Sequence, residues 1–143
     1  MEIVLRKIKP TDAHKITGLT EQLGYIIPQE QMLRNIEAVL HHTDCDAFVA
    51  LHEEDVVGWI GLAYRIQLES APVTEINGLV VDNQYRGKGI GKRLIEKAKQ
   101  WSIEKGCKRL RLRANVKRDE AHKFYSALGF AEMKQQKVFE MTL

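Results

Sequence analysis

Glycines at 87, 89 and 91 stand in the run Tyr85-Arg86-Gly87-Lys88-Gly89-Ile90-Gly91, between an apolar segment ending at Val81 and a helical pattern. Glycine tolerates positive φ and close backbone approach to a ligand. At a helix start the first N–H groups lack internal acceptors and attract an anion. Arg86, Lys88, Lys92 and Arg93 surround the turn with positive charge. These residue types at this spacing suit a pyrophosphate. Two familiar phosphate loops are excluded by spacing. In a Walker A loop the first Gly would fall at Arg86 and the metal-binding hydroxyl at Arg93. A dinucleotide fingerprint needs a third Gly three residues after Gly89, where the chain has Lys92. An ordinary Gly-rich strand-to-helix turn remains the alternative on this segment alone.

Length and composition narrow the classes. At 143 residues, 44% hydrophobic and 29% charged, the chain is read as one soluble α+β domain over residues 1–143. Its apolar runs are short of the ~20 residues that span a bilayer, so no membrane partner is expected. The start, Met1 to Lys7, lacks signal-peptide architecture, and Cys45 and Cys107 are isolated. A reducing cytoplasm is therefore the expected compartment. The net charge of +3 hides an asymmetry: residues 1–85 hold 6 Lys/Arg against 13 Asp/Glu, and residues 86–143 hold 16 against 6. The basic block suits the phosphates of a nucleotide cofactor. Its densest stretch, Arg86 to Arg118, has no interleaved exposed aromatics suggestive of base stacking, so nucleic acid is not expected as a partner. His41, His42, Asp44 and Cys45 cluster without a second ligand set at recognisable spacing, and no metal is expected.

The elements that must position the glycine turn follow from periodicity. Residues 3–8 read as a strand. Thr11-Asp12 offers an N-cap to a helix with Ile16, Leu19 and Leu23 on one face, ended by Gly24. Pro28 opens a second helix through Met32, Ile36, Val39 and Leu40. Strands are predicted at 47–51 and 56–64, joined as a hairpin across Glu53-Glu54-Asp55, and at 73–81 before the turn. After it, Ile90, Leu94, Ala98 and Trp101 mark an amphipathic helix ended by Gly106. Alternation across Arg109 to Arg113 predicts a half-buried strand, Asp119 to Leu128 a helix, and residues 130–133 and 138–143 a closing pair of strands.

Arg86-x-x-Gly89-x-Gly91 resembles the acetyl-CoA pyrophosphate loop of the GNAT N-acetyltransferase superfamily. Ala121-His122-Lys123-Phe124-Tyr125-Ser126-Ala127-Leu128-Gly129-Phe130 is similar to its Ala-x-x-x-Tyr-x-x-x-Gly-Phe segment. The order of elements resembles the GNAT fold, a mixed sheet flanked by helices in a single domain. The resemblance implies an acetyl-CoA-dependent N-acetyltransferase, with acetyl-CoA or coenzyme A as cosubstrate. It puts Leu79, Val80 and Val81 along the thioester and pantetheine, with the Leu79 N–H polarising the acetyl carbonyl and a bulge at Asn77-Gly78. It puts the phosphates on Arg86, Gly87, Lys88, Gly89, Ile90, Gly91 and Lys92.

By the same resemblance Tyr125 is the general acid for the leaving thiolate, and Glu75 is a base for the amine or a binder of the substrate. Packing beside Phe124 is the alternative for Tyr125. Two positions depart from the family pattern: Arg118 stands where many members carry a CoA-contacting Asn, and Arg113 where members acting on protein N-termini carry Glu. Arg118 is kept among the expected cofactor contacts, with Asn115 nearby as a further polar group. Acceptor recognition is expected from residues 24–28, Trp59, Tyr64 and Arg65. The acidic N-terminal part suits a small, cationic amine. Protein acetylation and a non-catalytic CoA sensor are the competing readings, and family habit implies a homodimer.

Overall fold

A computed structural model describes residues 1–114 and 116–143. Two compact units divide the chain, residues 1–113 and residues 114–143. In the first, β1 (Val4–Lys7) leads through a 3-10 turn at Pro10–Asp12 to α1 (Ala13–Glu21) and α2 (Gln29–Leu40). Then come β2 (Cys45–His52), β3 (Asp55–Arg65), β4 (Val73–Val81), α3 (Ile90–Glu104) and β5 (Leu110–Leu112). The strands form one sheet in the order β1-β2-β3-β4-β5. Its first three pairings are antiparallel, and β4 with β5 is parallel.

Strand alternation gives the sheet two faces. Val49, Trp59 and Val80 share one face and pack with Ile16 and Leu19 of α1 and Met32 and Ile36 of α2. On the other, Gly58 lies so near α3 that an added Cβ would sit 3.4 Å from Leu94 Cδ1 and 3.5 Å from Ile90 Cγ2. The predicted inner face of α3 is the observed one: Ile90, Leu94, Ala98 and Trp101 are all buried. Thr74 of β4 faces α3 as well, where the Ser102 hydroxyl donates to its Oγ1 at 2.7 Å.

Asp12 does not cap α1 with its side chain. It accepts instead from both terminal nitrogens of Arg6, at 2.8 and 2.9 Å, and from the Lys9 N–H at 2.8 Å. Burial pushes its carboxyl up, but the Arg6 guanidinium and the Lys9 amide outweigh that and hold it below the usual carboxylate value. The salt bridge thus ties β1 to the turn that launches α1.

The β2–β3 turn is made of two non-glycine residues at positive φ, Glu53 at 55° and Glu54 at 84°. Opposite Gly61 and Leu62, β4 carries one extra residue, since Gly78 pairs with Gly61 and Ile76 with Leu62. The expected bulge is therefore at Asn77. A Cβ on Gly78 would lie 2.4 Å from Trp59 Cη2, so Gly78→Ala is expected to destabilise the fold by about 1–3 kcal/mol. Urea unfolding measures this, and the penalty should shrink beside Trp59→Phe in a double-mutant cycle. Full stability of the single variant would show that the ring moves freely.

The second unit contains α4 (Asp119–Ala127), closed by Gly129 at φ 98°. The closing strands expected at 130–133 and 138–143 are not formed: no regular element follows α4 among the described residues. A strand exists only as one side of a hydrogen-bonded ladder, and alternation of apolar residues does not supply the other side. Val138, Phe139, Met141 and Leu143 are exposed instead.

Candidate active site

The glycine turn is built on anchored backbone. The Asp82 N–H donates to the Val57 carbonyl at 2.8 Å, and Asp82 Oδ1 accepts from the Gln84 N–H at 3.0 Å. A 3-10 turn over Asn83–Tyr85 follows, with the Tyr85 hydroxyl and His52 Nδ1 3.2 Å apart. Gly87 and Gly89 then take φ of 76° and 81°, Gly89 at the N-cap of α3. An added Cβ on either would meet nothing within 4 Å, so it is the left-handed backbone that requires glycine here. Gly91 differs from that expectation: it lies in the first turn of α3 and is not among the residues at positive φ.

The Arg93 N–H donates to the Gly89 carbonyl at 3.1 Å. That is the first rung an α-helix capped at Gly89 can make, so the amides of Ile90, Gly91 and Lys92 precede the ladder. Ile90 is buried and pins the helix start, while Arg86, Lys88 and Lys92 are exposed beside it. The Arg93 guanidinium donates to the Ile3 carbonyl, which takes it out of the expected ring of phosphate contacts. The result is a set of helix-start amides flanked by three cations, an arrangement that holds a polyanion.

Upstream, β5 pairs with β4 only at Thr74, Glu75 and Ile76. From Asn77 onward β4 keeps its pairing to β3, with Leu79 opposite Ile60, Val80 opposite Trp59 and Val81 opposite Gly58. Its other edge has no β5 partner there. The two parallel strands therefore part company at the bulge, leaving Leu79, Val80 and Val81, among the described residues, with no strand partner on the edge that leads to the glycine turn. The Val80 side chain is buried in the core, so any contact this residue makes along that edge is through its main chain.

Glu75 lies before the bulge, buried, and on the face of Trp59 and Gly61. Arg65 Nη1 donates to its Oε2 at 3.0 Å, and Arg113 Nε donates to its Oε1 at 3.2 Å. Arg113, which sequence reasoning saw only as a departure from a pattern, is thus a partner of Glu75. Tyr64 is not with the other expected acceptor residues: it pairs with Thr74 on the α3 face, whereas Trp59 and Arg65 share the opposite one. Tyr25 and Ile26, between α1 and α2, are exposed. In the stretch His41 to Cys45, His41 Nδ1 lies 2.7 Å from the Glu37 carbonyl, and His42 Nδ1 accepts from the Asp44 N–H at 3.1 Å.

In the second unit, Tyr125 on α4 stands edge-to-face with Phe124 and Phe130, ring centroids 5.4 and 6.0 Å apart. Burial pushes its phenol above the ordinary tyrosine value, against the opposing pull of Arg118. Arg118 is the N-cap residue of α4. Asn115 lies outside the described residues.

The model of the acetyltransferase (GNAT) family matches residues 14–130. Among curated proteins, an aminoglycoside N(6')-acetyltransferase type 1 of Stenotrophomonas maltophilia is 33% identical over 144 residues, covering 97% of this chain and 93% of the relative. One from Salmonella enteritidis is 26% identical over 132 residues, covering 90% and 91%. Among solved structures, an aminoglycoside N-acetyltransferase in complex with CoA superposes with a TM-score of 0.89 at 23% identity, covering 99% of this chain and 96% of the other. That last likeness establishes the shared fold.

Proposed function

This chain belongs to the acetyltransferase (GNAT) family, and from that membership we infer an acetyl-CoA-dependent N-acetyltransferase acting on the primary amine of a small molecule. The observation that carries the reading is the junction of the β4 edge beyond its β5 pairing with a glycine turn whose helix-start amides precede the hydrogen-bond ladder of α3. An elongated thioester ending in a pyrophosphate matches both halves. The aminoglycoside N(6')-acetyltransferases among its relatives support a small ammonium-bearing acceptor. The whole of residues 1–143 is read as one acetyltransferase domain.

Acetyl-CoA, when bound, supplies an acyl group already activated as a thioester. The amides of Gly87 to Lys92, with Arg86, Lys88 and Lys92, bind its phosphates, and the main chain of Val80 and Val81 holds its arm. Arg118 is assigned to the same cofactor. The Leu79 N–H donates to the acetyl oxygen as negative charge develops there. The neutral amine attacks the carbonyl carbon, the C–S bond breaks, and the Tyr125 hydroxyl gives its proton to the departing sulfur. The proton lost by the amine goes to solvent, and solvent returns one to the Tyr125 oxygen. Glu75 is assigned to the acceptor side, where each of its oxygens accepts a hydrogen bond from an arginine, Arg65 or Arg113.

A homodimer is part of this reading, supported by the exposed apolar residues Val138, Phe139, Met141 and Leu143, and light scattering tests it. Function in the cytoplasm is supported by two free cysteines. Calorimetric titration with acetyl-CoA and CoA tests the central claim. Micromolar binding of both, with amine-dependent release of CoA thiol, is the expected result. No binding would overturn the assignment.

A further inference from the structure

We propose that Arg65 and Arg113 recognise an anionic group on the acceptor, so that the amine acetylated by this chain carries a carboxylate or phospho group on the same small molecule. The inference rests on the acetyltransferase reading and deepens it.

The corner of the sheet before the bulge is unusually cationic. Residues 61–65 of β3, 73–78 of β4 and 109–113 around β5 contain four arginines, at 65, 109, 111 and 113, and a single acid, Glu75. Glu75 is also the one turned inward: its side chain is 9% exposed, against 53% for Arg65 and 55% for Arg113. A ligand arriving on this face meets guanidinium groups first and the carboxylate behind them. Each Glu75 oxygen already accepts a charge-assisted hydrogen bond. What the cluster offers outward is therefore positive charge and planar N–H donors, the chemistry that matches a carboxylate or phosphate fork.

Glu75 acts as a positioning residue in this arrangement. Joining Nη1 of one arginine and Nε of the other, it holds two long side chains from separate strands in one place. Ion pairs so exposed on their cationic side contribute little stability, which leaves recognition as the use of the cluster. Between the clamp and Leu79 the sheet presents Gly61 and Gly78, with the Asn77 amide and the Trp59 ring lying over them. Leu79 is four residues from Glu75 with the bulge between them, and their β3 partners Ile60 and Ala63 are three residues apart, about 10 Å at the usual rise. The reach of each arginine shortens the span the acceptor must bridge. A zwitterion of amino-acid to dipeptide size fits that span.

The test uses matched acceptors: ω-amino acids of three to six carbons and the corresponding ω-amino amides, with aminoalkylphosphonates as a third set and a polycationic aminoglycoside as the contrast. Initial rates of CoA thiol release are compared for the wild type, Arg65→Met, Arg113→Met, Arg65→Lys and Glu75→Gln. We expect kcat/KM at least tenfold higher for the acid or phosphonate than for the amide. Each Met variant should remove that preference through KM with kcat nearly kept, and Arg65→Lys should restore part of it. Glu75→Gln should lower the preference while acetyl-CoA binding by calorimetry stays at the wild-type value, which a merely unfolded variant would not show. Equal use, or equal lack of use, of acid and amide by a protein that binds acetyl-CoA overturns the anion clamp alone. Absence of acetyl-CoA binding overturns the acetyltransferase reading and the clamp together.

Discussion

Replacing Tyr125 by Phe is expected to lower kcat about a hundredfold or more, the range in which a positioned general acid operates, with acetyl-CoA affinity nearly unchanged. The variant deletes one oxygen and keeps the ring that packs on Phe124 and Phe130, so the fold should persist. The pH profile is the sharper readout. Burial raises the phenol above its ordinary value despite Arg118, so the hydroxyl keeps its proton through neutral pH and loses it only above the usual tyrosine range. The alkaline limb of the wild-type kcat profile should fall there and vanish in the variant. Equal turnover in Tyr125→Phe, with the limb intact, would remove the acid role and leave the residue as packing.

The second large effect is on the cofactor. In Gly87→Ala/Gly89→Ala two left-handed residues, at φ 76° and 81°, would each acquire a Cβ, at ~1–2 kcal/mol apiece. Because neither Cβ meets another atom within 4 Å, the strain is relieved by the loop turning away rather than by the core opening. The helix-start amides then lose their aim. If the full strain of about 2–4 kcal/mol is lost from binding, affinity for acetyl-CoA falls roughly 30- to 700-fold, read by calorimetry, with the thermal midpoint little changed. Wild-type affinity in the double variant would place the phosphates elsewhere. Gly91→Ala is the internal control: it lies within α3, where alanine is the better helix former.

Much of the site was legible because it is local. The bounds of β4, Val73–Val81, are those predicted, and the buried stripe of α3 falls on the predicted residues, since periods of two and 3.6 are properties of a contiguous segment. The glycines needed at positive φ were also within reach, although the helix begins early enough to take Gly91 into its first turn. The closing strands were misread for the complementary reason. Residues 138–143 alternate as a strand should, yet no ladder includes them among the described residues, and a ladder is a relation between segments.

By itself the sequence determined a strand, a left-handed glycine turn and a helix in immediate succession, and therefore where an anion can be held. It also determined the cationic character of the chain beyond residue 85. Only the tertiary structure decided what those charges do. Arg93 spends its guanidinium on the Ile3 carbonyl, and Arg65 and Arg113, 10 and 38 residues from Glu75, converge on one carboxylate. Tyr64 leaves the face that Trp59 and Arg65 share. The physical reason is register. A strand pairing brings distant residues together, and one residue of slip would turn every side chain to the opposite face. The single extra residue at Asn77 sets where β4 changes its pairing, so the acceptor corner exists only once the sheet has formed.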